Sequence, residues 1–200
     1  MTLDAFWIDQ TEVTNEMYAL CVADGACDPP DNTNSYSREN YFDAEEFADY
    51  PVVYVSWYDA QDYCTWAGRR LPTEAEWEKA ARGENGQFYP WGDEDPSSSL
   101  LNYDSNGGDT TPAGAYPDGA SPYGALDMAG NVWEWVFSLY QPYPYDAGDG
   151  REDLEASGLR VLRGGSWVNY GYGFVRAAYR YGSDPGVSVS GIGFRCARSP

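Results

Sequence analysis

Histidine is absent from all 200 residues, and lysine occurs once, at Lys79. The first absence excludes histidine-based acid–base catalysis, Ser-His-Asp triads, and iron or zinc sites that need imidazole. The second, with a formal net charge of -20 and a pI of about 4.1, leaves no basic stripe for nucleic acid or an anionic membrane. No run of roughly 18 apolar residues occurs, so nothing in the pattern spans a bilayer. Met1 is followed directly by TLDAFWID, which reads as a strand and not as a secretory leader. CxxC pairs are missing too, which argues against a zinc knuckle. The four cysteines (Cys21, Cys27, Cys64, Cys196) are even in number. The closeness of Cys21 to Cys27 points to disulfides, hence to a cell surface, an extracellular space or a thermophile's cytoplasm. Four free, partly buried thiols fit the same count.

A more local absence lies near the C-terminus. Between RGGSW (Arg163–Trp167) and GIGFRC (Gly191–Cys196), the stretch from Val168 to Gly191 has no Lys, Glu, Gln, Trp or Met, and its only carboxylate is Asp184. Neither a strand's alternation nor a helix's three-to-four spacing holds from Val168 to Phe174. Randomising only the two adenines of an asparagine codon, AAC or AAT, yields Asn, Asp, His, Tyr, Ser, Gly, Arg, Cys, Thr, Ala, Pro, Ile, Val, Leu and Phe. It never yields Lys, Glu, Gln, Trp, Met or a stop codon. Val168, Asn169, Tyr170, Gly171, Tyr172, Gly173, Phe174, Tyr179, Tyr181, Gly182, Ser183, Gly186, Ser188, Val189 and Ser190 all belong to that alphabet. Composition alone also describes a Gly/Tyr/Ser-rich surface loop.

Elsewhere the pattern predicts one domain over residues 1–200, with no repeat, linker or low-complexity tract. Leu3 to Ile8 alternates as a strand. Thr14 opens a helix over Asn15 to about Ala23, with Met17, Leu20 and Cys21 on its inner face. Ser56 with Asp59 caps a second helix running to Trp66, its stripe being Trp57, Ala60, Tyr63, Cys64 and Ala67. Thr73 with Glu76 forms the capping box of a third, whose inner face is Trp77, Ala80 and Ala81. GNVWEWV and Arg160 to Leu162 read as strands. The stretches 28–49, 87–122 and 141–158 read as long loops.

The pieces FWIDQTEVTNEMY, PVVYVSWYDAQDYCTWAGRRLPTEAEWEKAARG, YPWGDE, YGALDMAGNVWEWV, RVLRGGSW and GIGFRCAR together resemble the formylglycine-generating enzyme (sulfatase-modifying factor) superfamily. The resemblance implies an α+β, C-type-lectin-like fold with two or three helices, small antiparallel sheets and much ordered loop. It also implies another strand or two before the DAFWID match and a Cys64–Cys196 disulfide. In catalytic members two cysteines after RGGS bind copper(I); here they fall on Asn169 and Phe174, although Ser166 and Trp133 of the same pocket are kept. The related iron branch needs histidine. The chain therefore reads as non-catalytic, with no catalytic residue and no catalytic cofactor. A lectin-like frame ending in RGGSW, a diversified stretch and IGFRCAR resembles the variable proteins of diversity-generating retroelements. That resemblance implies a ligand-binding surface built from the variable residues named above, for a protein or glycan on another cell or particle. Arg163, Trp167, Arg176, Arg180 and Phe194 would then be scaffold. A structural calcium ion is implied at Asp127, Gly130, Val132 and Glu134, and a weaker first site at Asn102 and Asp109. The competing readings are an oxidase of the superfamily with an unusual site, and an invariant accessory domain.

Overall fold

The computed structural model describes residues 3–146 and 148–200. Three helices, α1 (Asn15–Ala23), α2 (Trp57–Trp66) and α3 (Glu74–Arg82), surround a small sheet. Its strands are β2 (Trp133–Leu139), β3 (Arg160–Arg163), β4 (Arg180–Ser183) and β5 (Ile192–Phe194), in the order β4-β3-β2-β5. A separate ribbon pairs β1 (Trp7–Ile8) with β6 (Ala197–Arg198) and so closes the two ends of the chain on each other. The fold is α+β, as expected. The sheet is mixed and not purely antiparallel, because β5 returns along β2 in parallel after the long excursion through residues 164–191.

Both capping boxes form: Ser56 and Asp59 exchange bonds at the start of α2, and Thr73 and Glu76 at the start of α3. Strand β2 is covered on both sides, which is why it reads WEWV without polar alternation. Trp135 packs in the main core with Trp57, Tyr63, Leu162 and Phe194, while Val136 packs in a second core with Trp77, Met128 and Val161. Two indole N–H groups tie α2 and the segment leading into it to β2, Trp57 donating to Val136 O at 2.9 Å and Trp135 to Val55 O at 3.1 Å.

Three expectations are corrected. Helix α1 is rotated: it buries Asn15, Tyr18 and Cys21, and leaves Met17 and Leu20 exposed. Asn15 is drawn inward because its amide donates to Tyr41 O and Phe47 O, tying down the loop over 28–49, while Tyr18 stacks on Tyr63 at 5.5 Å. The first strand is only two residues, since its partner β6 is no longer. Strand β4 lies between RGGSW and GIGFRC, where the sequence pattern predicts no strand. It exists because β3 offers it four successive partners, Arg160↔Ser183 through Arg163↔Arg180.

Both disulfides are present, Cys21–Cys27 with Cα atoms 5.3 Å apart and Cys64–Cys196 with 5.7 Å. The second joins α2 to the end of the chain across a sequence separation of 132. Replacing Cys64 and Cys196 together by Ala should cost about 5 kcal/mol in the chain-entropy picture. Urea unfolding of the variant against the oxidised parent measures it, and a loss under about 1 kcal/mol would contradict that picture.

Candidate ligand-binding face

Residues 164–191 leave the sheet at the end of β3, rejoin its edge as β4, and lead back to β5. The exit is a tight turn through Gly164 and Gly165, both at positive φ; a Cβ on Gly165 would lie 2.9 Å from Phe174 O. Beyond it, the path is set by framework groups that bind the segment's main chain. Arg163, wholly buried, donates to Ala177 O at 2.9 Å, Ala178 O at 3.2 Å and Tyr179 O at 2.9 Å, and to Glu78 at 2.6 Å. Ser105 N and Asp104 N donate to Trp167 O and Asn169 O, Trp57 N to Pro185 O, Tyr54 N to Val189 O, and Trp133 N to Gly191 O. Inward side chains between these points are Trp167, Val175 and Ala177.

The outward side chains are aromatic. Tyr170 is 66% exposed, Tyr181 54%, Tyr172 46% and Phe174 40%, with Val168 and Val189 also exposed. They are not scattered. Phe174 packs edge-on against Tyr179 at 5.2 Å, and Trp133 lies 5.9 Å from Tyr179 and 6.1 Å from Tyr181. Tyr172 approaches Tyr103 at 6.3 Å, and Ser105 Oγ donates to Tyr170 Oη at 3.3 Å. Beside them opens a groove of about 530 Å³, with Trp133, Ser166, Trp167, Tyr181, Ser190 and Tyr36 among its walls. Gly171, Gly173 and Gly186 lie exposed along the same stretch, and Ser183 also lines the groove.

Three of the residues singled out in the sequence do not share this surface role. Asn169 turns inward, its Oδ1 accepting from Ser166 N at 2.8 Å and Ser166 Oγ at 3.1 Å, so it shapes the turn. Gly182 faces the other side of β4, where an added Cβ would meet Tyr140 at 2.8 Å. Ser188 donates to Asp31 and ties the segment to the loop over 28–49. Conversely, Tyr36 was not foreseen. It is 69% exposed, packs on Trp167 at 5.0 Å, and comes from a loop far away in sequence. Only the contacts of its neighbours would have revealed it: Ser35 Oγ, Ser37 N and Ser37 Oγ all donate to the buried Asp109.

Asn169 and Phe174 do not fit copper(I). Neither is a thiol, the Asn169 amide is engaged by Ser166, and all four cysteines of the chain are in disulfides. Asp109 of the weaker calcium pair is committed to Ser35, Ser37 and Arg38, and Asn102 donates to Asp109 O. In the second set, Glu134 is held by the Arg195 fork at 2.7 Å on each oxygen and by Trp77 Nε1 at 2.7 Å. Asp127 accepts Gly114 N at 2.5 Å. Among the described residues no three His, Cys, Asp or Glu side chains converge to hold a metal ion. A calcium ion here would rely on Asp127 with the carbonyls of Gly130 and Val132.

The charge at that place is nonetheless unbalanced. Glu12, Asp127 and Glu134 are all buried, and Arg195 is the cation that counters Glu12 and Asp127. Burial, then the charges of Asp127 and Glu134, push the Glu12 carboxyl well above the usual range. Burial, with Glu134 adding to it, pushes Asp127 up to about 6. Raised carboxyl values mean that the folded state holds protons the unfolded chain releases between about pH 4 and 6. Stability should therefore rise as pH falls from 7 towards 5. Asp127→Asn should raise the melting temperature at pH 7 by a few degrees and flatten that slope. Thermal melts in a chelator across this range check it; a melting temperature that falls steadily from pH 7 to 5 in the parent would contradict it.

A model of the sulfatase-modifying factor enzyme 1-like domain matches residues 1–200. Among curated relatives, the inactive C-alpha-formylglycine-generating enzyme 2 of Mus musculus is 42% identical over 164 residues, covering 74% of this chain and 49% of the relative. The hercynine oxygenase of Mycolicibacterium smegmatis is 40% identical over 170 residues, covering 78% of this chain and 38% of the relative. The chain thus spans half or less of the length of these relatives. Among solved structures, Treponema denticola variable protein 1 superposes with a TM-score of 0.75 and 25% identity, over 100% of this chain and 86% of that one.

Proposed function

The chain belongs to the sulfatase-modifying factor enzyme 1-like family, and from that membership we propose that it is a non-catalytic, receptor-like binding protein whose C-terminal segment is diversified by a retroelement. The observation that carries the reading is the division of labour in residues 164–191. Framework groups grip the segment mainly by its main chain, and Tyr170, Tyr172, Phe174 and Tyr181 stand outward. Main-chain bonds are indifferent to side-chain identity, so the outward residues can change while the path stays. Aromatic rings supply much contact area for few rotatable bonds, with Gly and Ser between them giving room and adaptable polar contact. The likeness to a variable protein supports this, as does the inactive relative. The hercynine oxygenase relative supports an enzyme instead, but the iron chemistry that the sequence resemblance implies needs histidine, and the chain has none. The ligand is a protein or glycan displayed on another cell or particle.

Exchanging Val168, Tyr170, Tyr172, Phe174, Tyr181 and Val189 together for Ser or Asn should shift the melting temperature by only a few degrees, because exposed positions contribute little to stability. A displayed library randomised at these positions should yield binders to unrelated proteins. Unfolding of the multiple variant, or a library without binders, would overturn the reading. Diversification itself is checked in the genome, as a reverse transcriptase gene near a close copy of the 3′ coding stretch carrying AAC or AAT at these codons. Copper(I) titration against a competing chelator should show no tight site.

The calcium ion remains part of the proposal, placed at Asp127 with the Gly130 and Val132 carbonyls, where it would offset the buried acidic charge. Calcium should then raise the melting temperature at pH 7.5 and chelator should reverse the gain. An unchanged melting temperature would remove calcium from the proposal.

A further inference from the structure

Next to the aromatic face, Arg82, Arg176 and Arg180 meet around a cavity of about 350 Å³ that Gln87, Phe88 and Tyr179 help to line, and no carboxylate lines it. That reverses the composition of the chain, which has 32 acidic and 12 basic residues. The three guanidinium groups differ in what they still have to offer. Each nitrogen of Arg82 already donates once, to Gln87 O at 3.1 Å, Glu78 at 2.6 Å and Gly86 O at 2.9 Å. Each nitrogen of Arg180 does so as well, two to the Glu74 oxygens at 2.6 Å and one to Gln141 O at 2.7 Å. Arg176 donates once, from Nε to Gly173 O at 3.3 Å. It is exposed between two buried residues, Val175 and Ala177, and forms no salt bridge among the described residues. Behind the cavity, Glu74 and Glu78 are shared by Arg82, Arg163 and Arg180, so two carboxylates face three guanidinium groups before Arg176 is added. Asp93, on the adjoining turn, accepts Phe88 N. Tyr179 is the shared wall: it lines this cavity and packs on Phe174 and Trp133 of the face.

We propose that this cavity receives a carboxylate carried by the ligand of the aromatic face, with Arg176 as its charged anchor. A free guanidinium edge presents two parallel N–H donors that match a carboxylate's two oxygens. The acidic charge elsewhere on the chain does not cancel this at contact, because the Debye length at physiological ionic strength is only about 8 Å. Arg176 thereby has a second task besides holding Gly173 O, and selects acidic partners from among those the aromatic surface fits. The proposal rests on the binding reading above but is tested apart from it.

The test uses protein labelled with nitrogen-15 in arginine and glutamine side chains, titrated at constant ionic strength with sodium glucuronate and, separately, with acetyl-aspartyl amide. The Arg176 Nε–H and Gln87 amide signals should shift to saturation. Arg176→Gln should weaken that binding by about tenfold or more, the loss expected of one charge-assisted pair. Arg198→Gln, at the other exposed arginine without a carboxylate partner, should leave it unchanged. Tighter glucuronate binding points to a sugar acid, and tighter aspartyl binding to an acidic peptide; either supports the site. Shifts that grow linearly without saturation, or equal affinity in Arg176→Gln, overturn it. If they do so while libraries on the aromatic face still yield binders, the anchor falls and the binding face stands.

Discussion

Four buried guanidinium groups do for the loops of this protein what a ladder does for strands. Long irregular stretches bring carbonyls into the interior with no neighbouring strand to meet them, and a buried carbonyl without a donor is costly. Arg160 reaches Phe137, Asp153, Leu154 and Ala156 carbonyls; Arg163 reaches Ala177, Ala178 and Tyr179; Arg195 reaches Asp9, Gln10 and Leu126; Arg151 reaches Pro142. Only a planar fork with five donors serves several carbonyls at once, which is a physical reason for a chain with one lysine to keep so many arginines. The desolvation cost is met by Glu134 on Arg195, Glu74 and Glu78 on Arg163, and Asp149 on Arg151. Arg160 forms no salt bridge among the described residues; it lies over the Trp57 ring at 4.1 Å, and burial lowers its pKa.

This arrangement separates the shape of the C-terminal segment from its surface. The grip of Arg163 on three successive carbonyls fixes the middle of the segment from below, and β5 with the Cys64–Cys196 bridge fixes its end. On the proposed reading, the side chains that carry no part of this work are those that differ. Those that do carry part of it include Asn169 at the turn, Gly182 against Tyr140, Ser188 on Asp31, and Trp167, Val175 and Ala177 beneath. The stretch from Val168 to Gly191 has no Lys or Glu, so it brings neither side chain to the groove walled by Trp133 and Trp167.

What was legible in the sequence follows the range of the interactions involved. The starts of α2 and α3 were readable because capping boxes are local, Ser56 to Asp59 and Thr73 to Glu76. The outward stance of Tyr170, Tyr172 and Tyr181 was expected from the residue alphabet of the stretch together with the resemblance to variable proteins. The phase of α1 was not, because it is decided by Asn15 reaching two carbonyls of another loop, and apolar spacing favoured Met17 and Leu20. Strand β4 was hidden because Arg180–Ser183 has no strand signature of its own and borrows its form from β3. Tyr36 and the inward turn of Asn169 depend on partners that are, respectively, remote in sequence and indistinguishable from ordinary polar residues.

The same geometry bears on why a catalytic scaffold can serve recognition. The two positions that the resemblance assigns to copper thiolates bracket the first turn after RGGSW, and here one holds the turn while the other stands at the surface. On the binding reading proposed above, a rim that does not have to position a reactive atom has only to keep its path. That path is held by Arg163 and the strand ends, neither of which depends on what the rim displays.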